Sequence, residues 1–401
     1  MRGKIPTSAS RLRDDKWWRS LGVLLFTAST AAAQPITPLP SRLTDAQFWQ
    51  FVTDVSEAGG YFRSDNFLSN EATFQHVIPD LQQRFSSGGV YLGVGPEQNF
   101  TYIAAIRPKI AIVFDIRRQN MIEHLLYKAI FEQSTDRAEF LSRLFSRPRP
   151  AGLDTGSTVA ALFDAYASAT PDSALYRRNA RAVFRTLVET HGFRLTSEDS
   201  AGLTYVYDAF FMAGPDLNYS FSPARPQFMR GRMPTYAELM TEDDGRGAAR
   251  SYLATEGTYR WLRDLEGRNL LIPVVGDFAG PKAIRAVGGY LRAHGATVSA
   301  FYTSNVEQYL FRQGDDWSKY YENVGTLPLD TLSVFIRAVF NGSRMFVSPS
   351  APVPQPSASS GVGGFYGMRS ETTLSSILET LKAMKDGRLT SYSEAVQIPK
   401  L

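Results

Sequence analysis

The chain contains no cysteine among its 401 residues. That absence excludes disulfide cross-links, thiolate zinc sites and cysteine nucleophiles, and it is compatible with an oxidising compartment where a stray thiol is a liability. Histidine is scarce: only His76, His124, His191 and His294 occur, and none belongs to an HExxH sequence or to a His/Asp group at metal-ligand spacing. No Gly-x-Ser-x-Gly elbow is present, so neither a zinc protease nor an ordinary α/β-hydrolase is supported, and no metal motif is found. Net charge is missing from most of the chain. The formal charge of +4 is carried entirely by Arg2, Lys4, Arg11, Arg13, Lys16 and Arg19 set against Asp14 and Asp15. Residues 34–401 are therefore near neutral and lack the broad basic surface on which counterion release depends, so nucleic acid is not an expected partner.

Apolar runs long enough for a membrane span are absent too. The stretch Leu21 to Ala28 is too short to cross a bilayer comfortably. It follows the basic segment ending Lys16-Trp17-Trp18-Arg19 and precedes Ala31-Ala32-Ala33, the three-part pattern of a secretory signal. Residues 1–33 are expected to be a signal peptide cleaved after Ala33, leaving a periplasmic or secreted chain with no stable membrane span.

With 43% hydrophobic residues the chain is able to bury a full core. Residues 34–87 read as a helical lead-in, with Thr44 opening a helix and a second helix from Glu71 to Phe85. Residues 88–401 read as one α/β domain. Val90-Tyr91-Leu92 is a strand, Gly93-Val94-Gly95-Pro96-Glu97 a turn, Phe100 to Ile106 a short helix, and Ile110 to Phe114 a second strand closed by Asp115. A continuous apolar strand of that kind suits a parallel sheet covered on both faces. Helical sequence fills residues 120–265. A further strand-helix-strand segment runs from Leu270 through Lys282–His294 to Tyr302 and is expected as another βαβ unit. Residues 348–364, rich in Ser, Pro, Ala and Gly, read as a surface loop, and Thr372 to Lys385 as a final helix. The expected fold is Rossmann-like α/β: a mostly parallel sheet with helices on both faces and a helical insertion.

The first strand-turn-helix unit is the most informative piece, either as a ligand loop or as a turn in which the glycines serve the backbone and Glu97 complements the helix dipole. Gly93 and Gly95 allow a tight turn and close approach of a ligand, and Pro96 suits the first helical position. Asp115 ends the second strand, where an acid is able to accept hydrogen bonds from ribose hydroxyls. Over residues 88–120 this pattern resembles the S-adenosylmethionine-dependent methyltransferase superfamily, in which a Gly-x-Gly turn follows the first strand and an acidic residue ends the second. The resemblance implies an adenosyl cofactor, S-adenosylmethionine, with Gly93, Gly95 and Glu97 at its methionine end and Asp115 on its ribose. Glu97 and Gln98 stand where the methyltransferase and dinucleotide patterns have a third glycine. A carboxylate there repels pyrophosphate and disfavours NAD or FAD, while it tolerates a ligand ammonium group.

Three other features are candidates for ligand contact. The segment holding Arg63, Asp65, Asn66, Asn70 and Glu71 packs many polar groups together, either as an ordered loop or as a flap over the Gly93 turn. Asp277 lies just past its strand, where ligands of open parallel sheets collect. Glu123-His124 follows Asp115 on the next helix. The leading expectation is an exported, methyltransferase-like protein that binds a small adenosyl ligand. The alternatives are an extracytoplasmic non-catalytic binding protein, or an exported hydrolase using carboxylates such as Asp65, Glu97 or Asp277.

Overall fold

A computed structural model describes residues 37–85, 87–223, 233–340 and 370–401. The expected signal peptide, its cleavage position and the 348–364 loop lie outside the described residues. The chain divides into Met1–Pro35 and Ile36–Leu401, and the second unit carries the fold.

Thr44 caps helix α1 (Asp45–Val55) through a reciprocal capping box with Gln47. A 3-10 turn (Phe74–Val77) and a short α2 (Ile78–Arg84) replace the single helix expected from Glu71, because Pro79 sits in the first turn of α2, where a missing amide hydrogen costs nothing. Strand β1 (Val90–Val94), α3 (Gln98–Ile106) and β2 (Ile110–Asp115) follow, and every residue of both strands is buried. The insertion is helical: α4 (Arg118–Gln133), α5 (Arg137–Phe145), α6 (Val159–Ser168), α7 (Ser173–Phe184), a π-helix (Arg185–Thr190), α8 (Ser197–Ala213), α9 (Tyr236–Thr241) and α10 (Glu256–Gly267). Then come β3 (Leu271–Val275), α11 (Ala283–Ala293), β4 (Val298–Ser304), α12 (Val306–Leu310), α13 (Asp316–Val324), β5 (Val334–Phe340), β6 (Ser370–Ser376) and α14 (Ile377–Lys385).

The six strands lie in the order β3-β2-β1-β4-β5-β6. The first five are parallel, and β6 runs antiparallel to β5. This is a Rossmann-like α/β fold. Helices α3, α4 and α10 pack together, while α11 packs with α1 and α13, as right-handed crossovers require when the chain runs outward from β1 to β2 and β3 and then back in the opposite direction from β3 to β4. Because α1 also packs on β3, the lead-in is part of the same unit as the sheet.

The strand-helix-strand unit expected at 270–303 is present, with two strands lying between its own, and one expectation needs correction. Residues 270–303 supply two strands that are not neighbours: β3 pairs with β2 at the sheet edge, and α11 carries the chain back across to β4, which pairs with the free side of β1. The last helix begins at Ile377 instead of Thr372, because residues 370–376 satisfy their backbone groups against β5, from Phe340↔Ser370 to Val334↔Ser376. Ser376 then caps α14 by accepting from the Glu379 amide.

Candidate functional site

In an open parallel sheet, ligands collect outside the carboxyl ends of the strands where the strand order reverses. Here that point lies between β1 and β4, and a cleft of about 200 Å³ opens there. Its walls come from four strand ends: Val94, Gly95 and Pro96 after β1, Asp115, Ile116 and Arg117 after β2, Asp277 and Phe278 after β3, and Tyr302, Ser304 and Asn305 at β4. The polar segment before the 3-10 turn crosses the opening and adds Phe62, Asn66 and Glu71. It is fastened there by Gly60 N–H donating to the Ile116 carbonyl at 2.7 Å and by Arg117 donating to the Asp65 carbonyl.

The two glycines of the turn do different work. Gly93 belongs to β1 and does not line the cleft. A Cβ on it would meet Asn99 Oδ1 at 1.8 Å, so its smallness makes room for Asn99, whose amide donates to the carbonyls of Val94, Gly95 and Pro96 at 2.9, 3.1 and 2.7 Å. Gly95 does line the cleft, and its φ of +77° is the left-handed conformation that glycine adopts freely. Its N–H is spent on the Phe114 carbonyl at 3.2 Å, so the turn does not present that amide to a phosphate.

Three carboxylates line the cleft. Asp115 Oδ1 accepts from Arg117 N and Nε at 2.8 and 3.0 Å, and its Oδ2 accepts from Arg117 Nη2 at 2.8 Å. Burial opposes the Arg117 charge, but the Asp115 carboxylate outweighs it and holds the guanidinium pKa above its ordinary value. Asp277 is half-buried; its Oδ1 accepts from the Ala279 amide at 2.9 Å. Glu71 is buried and takes three donors: Gln98 Nε2 at 2.7 Å, Tyr302 Oη at 2.8 Å, and Ser304 Oγ. Burial raises its pKa, and those hydrogen bonds restrain the rise. Ser304 has φ +51°, a sparsely populated conformation for a residue with a side chain. An ionised carboxylate offers about four acceptor positions, and the described residues fill three of them on Asp115 and three on Glu71.

A second group of polar side chains lies behind the turn. Glu97 is fully buried, does not line the cleft, and has no hydrogen-bond partner at either carboxylate oxygen among the described residues. Burial pushes its pKa up to about 8; the backbone amides of Glu97 and Ser69, close by but outside hydrogen-bonding geometry, oppose the shift and Glu71 adds to it. Glu123 is buried and unpartnered in the same way, and burial, then the Glu97 charge, raise its pKa. His124 Nε2 meets the Gly95 carbonyl at 2.9 Å, and burial lowers its pKa to about 4, so the ring is neutral and donates that bond.

Of the residues singled out in the sequence, Gly95, Asp115, Asn66, Asn70, Glu71 and Asp277 come together in the cleft. Gly93 and Glu97 lie behind it, Asp65 accepts from Tyr205 Oη at 3.1 Å through its carboxylate, and Arg63 is exposed away from it. Sequence reasoning did not pick out Arg117 or Tyr302. The acid-x-Arg doublet Asp115-Ile116-Arg117 at a strand end was the available signal for the first; the second depends on which strand neighbours β1. Among the described residues no group of His, Asp and Glu is placed to hold a metal ion, and no helix is long and apolar enough to cross a membrane.

The strand order, the glycine turn and the acid-lined crevice define a Rossmann-like α/β protein with its candidate site at the switch point of the sheet. More particularly, the chain belongs to the family described as Domain of unknown function (DUF7790), which matches residues 66–362. That span covers every cleft-lining residue from Asn66 onward and leaves out α1 and β6. No curated protein matches the chain.

Proposed function

We propose that the cleft binds an adenosyl ligand, S-adenosylmethionine in the first instance, as a methyltransferase-like protein. The observation that carries this is the meeting of Gly95, Asp115 and Asp277 from three adjacent strand ends around one crevice. Ile116 and Phe278 offer apolar surface for a purine, and Asp277 offers an acceptor suited to its amino edge. Asp115 keeps an acceptor position for a ribose hydroxyl. The lining holds three carboxylates against the single cation Arg117, together with the rings of Phe62, Tyr302 and Tyr309, which favours a ligand carrying positive charge. Glu71 supports the same reading at the β4 end, where its open acceptor position suits an ammonium or other N–H donor. The bound ligand would supply an electrophilic methyl group; the chain's residues hold and orient it.

The rival reading is an extracytoplasmic binding protein without cofactor chemistry. It is favoured by the Arg117 clamp on Asp115 and by a cleft smaller than the roughly 300–1,000 Å³ usual for such ligands. The expected signal peptide weighs on the same side, since S-adenosylmethionine is a cytoplasmic metabolite. Calorimetry of the full chain with S-adenosylmethionine and S-adenosylhomocysteine separates the two. The methyltransferase-like reading expects the cationic ligand to bind more tightly and Asp277→Asn to weaken both by about tenfold. Absence of heat from either ligand at millimolar concentration, with N-terminal sequencing that finds Gln34 as the first residue of a processed chain, would leave the rival.

A further inference from the structure

On the far side of the insertion, α7 and the π-helix form one continuous rod whose outer face carries two parallel rows. Arg177, Arg181 and Arg185 recur every fourth residue and are exposed; Tyr176, Ala180, Phe184 and Val188 recur at the same interval beside them. Fourth-residue spacing puts each row along one side of a helix. Between this rod and α8 lies a groove of about 670 Å³, floored by the second row with Val183, Leu203 and Tyr207 and edged by the arginines. Val188, at the end of the second row, is 44% exposed.

Counter-charge from the described residues reaches only the ends of the arginine row, with Asp172 near Arg177 and Glu189 near Arg185. Among the described residues Arg177 and Arg181 have neither an ion pair nor a hydrogen-bond partner, and Arg185 reaches only Glu189, at 3.9 Å and with both side chains largely exposed. The π-helix is an independent irregularity at the same place: its wider turn is closed by the His191 amide donating to the Thr186 carbonyl at 2.9 Å, and such turns recur at functional sites.

We propose that this groove docks an amphipathic helical segment of a partner protein whose apolar row is flanked by Asp or Glu at every fourth position. Three guanidiniums spaced i, i+4, i+8 span about 12 Å of helix axis, and acidic side chains at that spacing on a partner helix match them one to one as charge-assisted pairs. The apolar row supplies the anchor and the arginines supply register and polarity. A concave floor suits an inserted helix better than a flat lipid surface.

The test is fluorescence anisotropy of the full chain against a labelled helical peptide with Leu and Glu rows, the same peptide with Lys in place of Glu, and phosphatidylglycerol vesicles. The acidic peptide is expected to bind, the Lys peptide to bind at least tenfold more weakly, and the acidic complex to loosen as salt rises. Arg177→Glu, Arg181→Glu and Arg185→Glu together, or Val188→Asp alone, are expected to weaken the acidic peptide at least tenfold while the circular dichroism melt is unchanged. Equal binding of the two peptides, undiminished binding by the arginine variant, or binding of vesicles without binding of the acidic peptide overturns the proposal. The peptide comparison uses the unaltered chain, so it decides the matter even if a variant fails to fold.

Discussion

Glu97 carries a fully buried carboxyl just behind the turn that follows β1. Its side chain turns inward, away from the cleft, and among the described residues neither oxygen has a hydrogen-bond partner. A carboxyl whose pKa rises from 4.5 to about 8 on folding favours the protonated native state. The stability linked to that proton is therefore complete below about pH 4.5 and is lost as pH rises through 8. Glu97→Gln removes the titration while keeping the shape. The variant is expected to match the unaltered chain at pH 4.5 and to become the more stable of the two towards pH 8, by up to about 1.4 kcal/mol per pH unit. Urea unfolding at the two pH values reads this directly, and parallel losses in both proteins would mean that Glu97 finds a partner for its charge. The direction in which a side chain leaves a turn depends on the helices packed behind it. Gly95, Asp115 and Asp277 were legible because strand ends announce themselves by apolar runs followed by a polar residue, whereas the inward turn of Glu97 depends on α4, whose position against the turn is a tertiary fact.

Among the elements, α1 is joined to the insertion by a titratable clasp. His191, at the end of the π-helix, has Nε2 at 2.6 Å from Glu132 on α4 and Nδ1 at 2.9 Å from Asp45 on α1, and its ring stacks on Phe193. Lys128 on α4 faces the same carboxylate at 2.8 Å, and the carboxyl of Glu266 from α10 is buried nearby with its pKa pushed up to about 8. Burial works against the His191 cation, but the Glu132 hydrogen bond and charge prevail, so its pKa is raised; burial works against the Glu132 anion as well, but the His191 and Lys128 contacts prevail and its pKa is lowered. The histidine part of the stabilisation is whole below its ordinary value near 6.5 and fades as pH rises past the folded value; the glutamate part is present above about 4.5 and fades as pH falls. The clasp is thus strongest between about pH 4.5 and 6.5. His191→Gln is expected to cost most stability near pH 6 and progressively less towards pH 9, measured by thermal melting, and a deficit independent of pH would show that stacking on Phe193 is all that the ring contributes. Elements were otherwise legible where local signals agreed, as with the Thr44 box of α1 and the apolar strands β1 and β2. They were hidden where pairing overrides composition: β6, Ser-Glu-Thr-Thr-Leu-Ser-Ser, owes its extended form to β5. Arg337 interrupts the apolar run of β5 and is tolerated because Glu307 meets it in the interior at 2.6 Å.

For the molecule as a whole, the order of strands in space sets an order of events in time. β1 is the centre of the sheet, and β2 arrives beside it almost at once along the chain, but its other flank is claimed by β4, which begins only at Val298. At about 5–20 residues per second, synthesis takes roughly ten to forty seconds to pass from Val94 to Val298. During that interval a fully apolar strand has an open edge, the kind of surface that pairs with strangers. Refolding is expected in two phases, β1 and β2 amides gaining protection from hydrogen exchange before those of β4 and β5, because closing so long a loop is slow; protection of all five parallel strands in one phase would mean that the sheet assembles only as a unit. Until β4 emerges, the free side of β1 has only solvent or a passing chain to meet its backbone groups, so slower passage of the ribosome across the helical insertion is expected to lengthen that exposure and lower soluble yield.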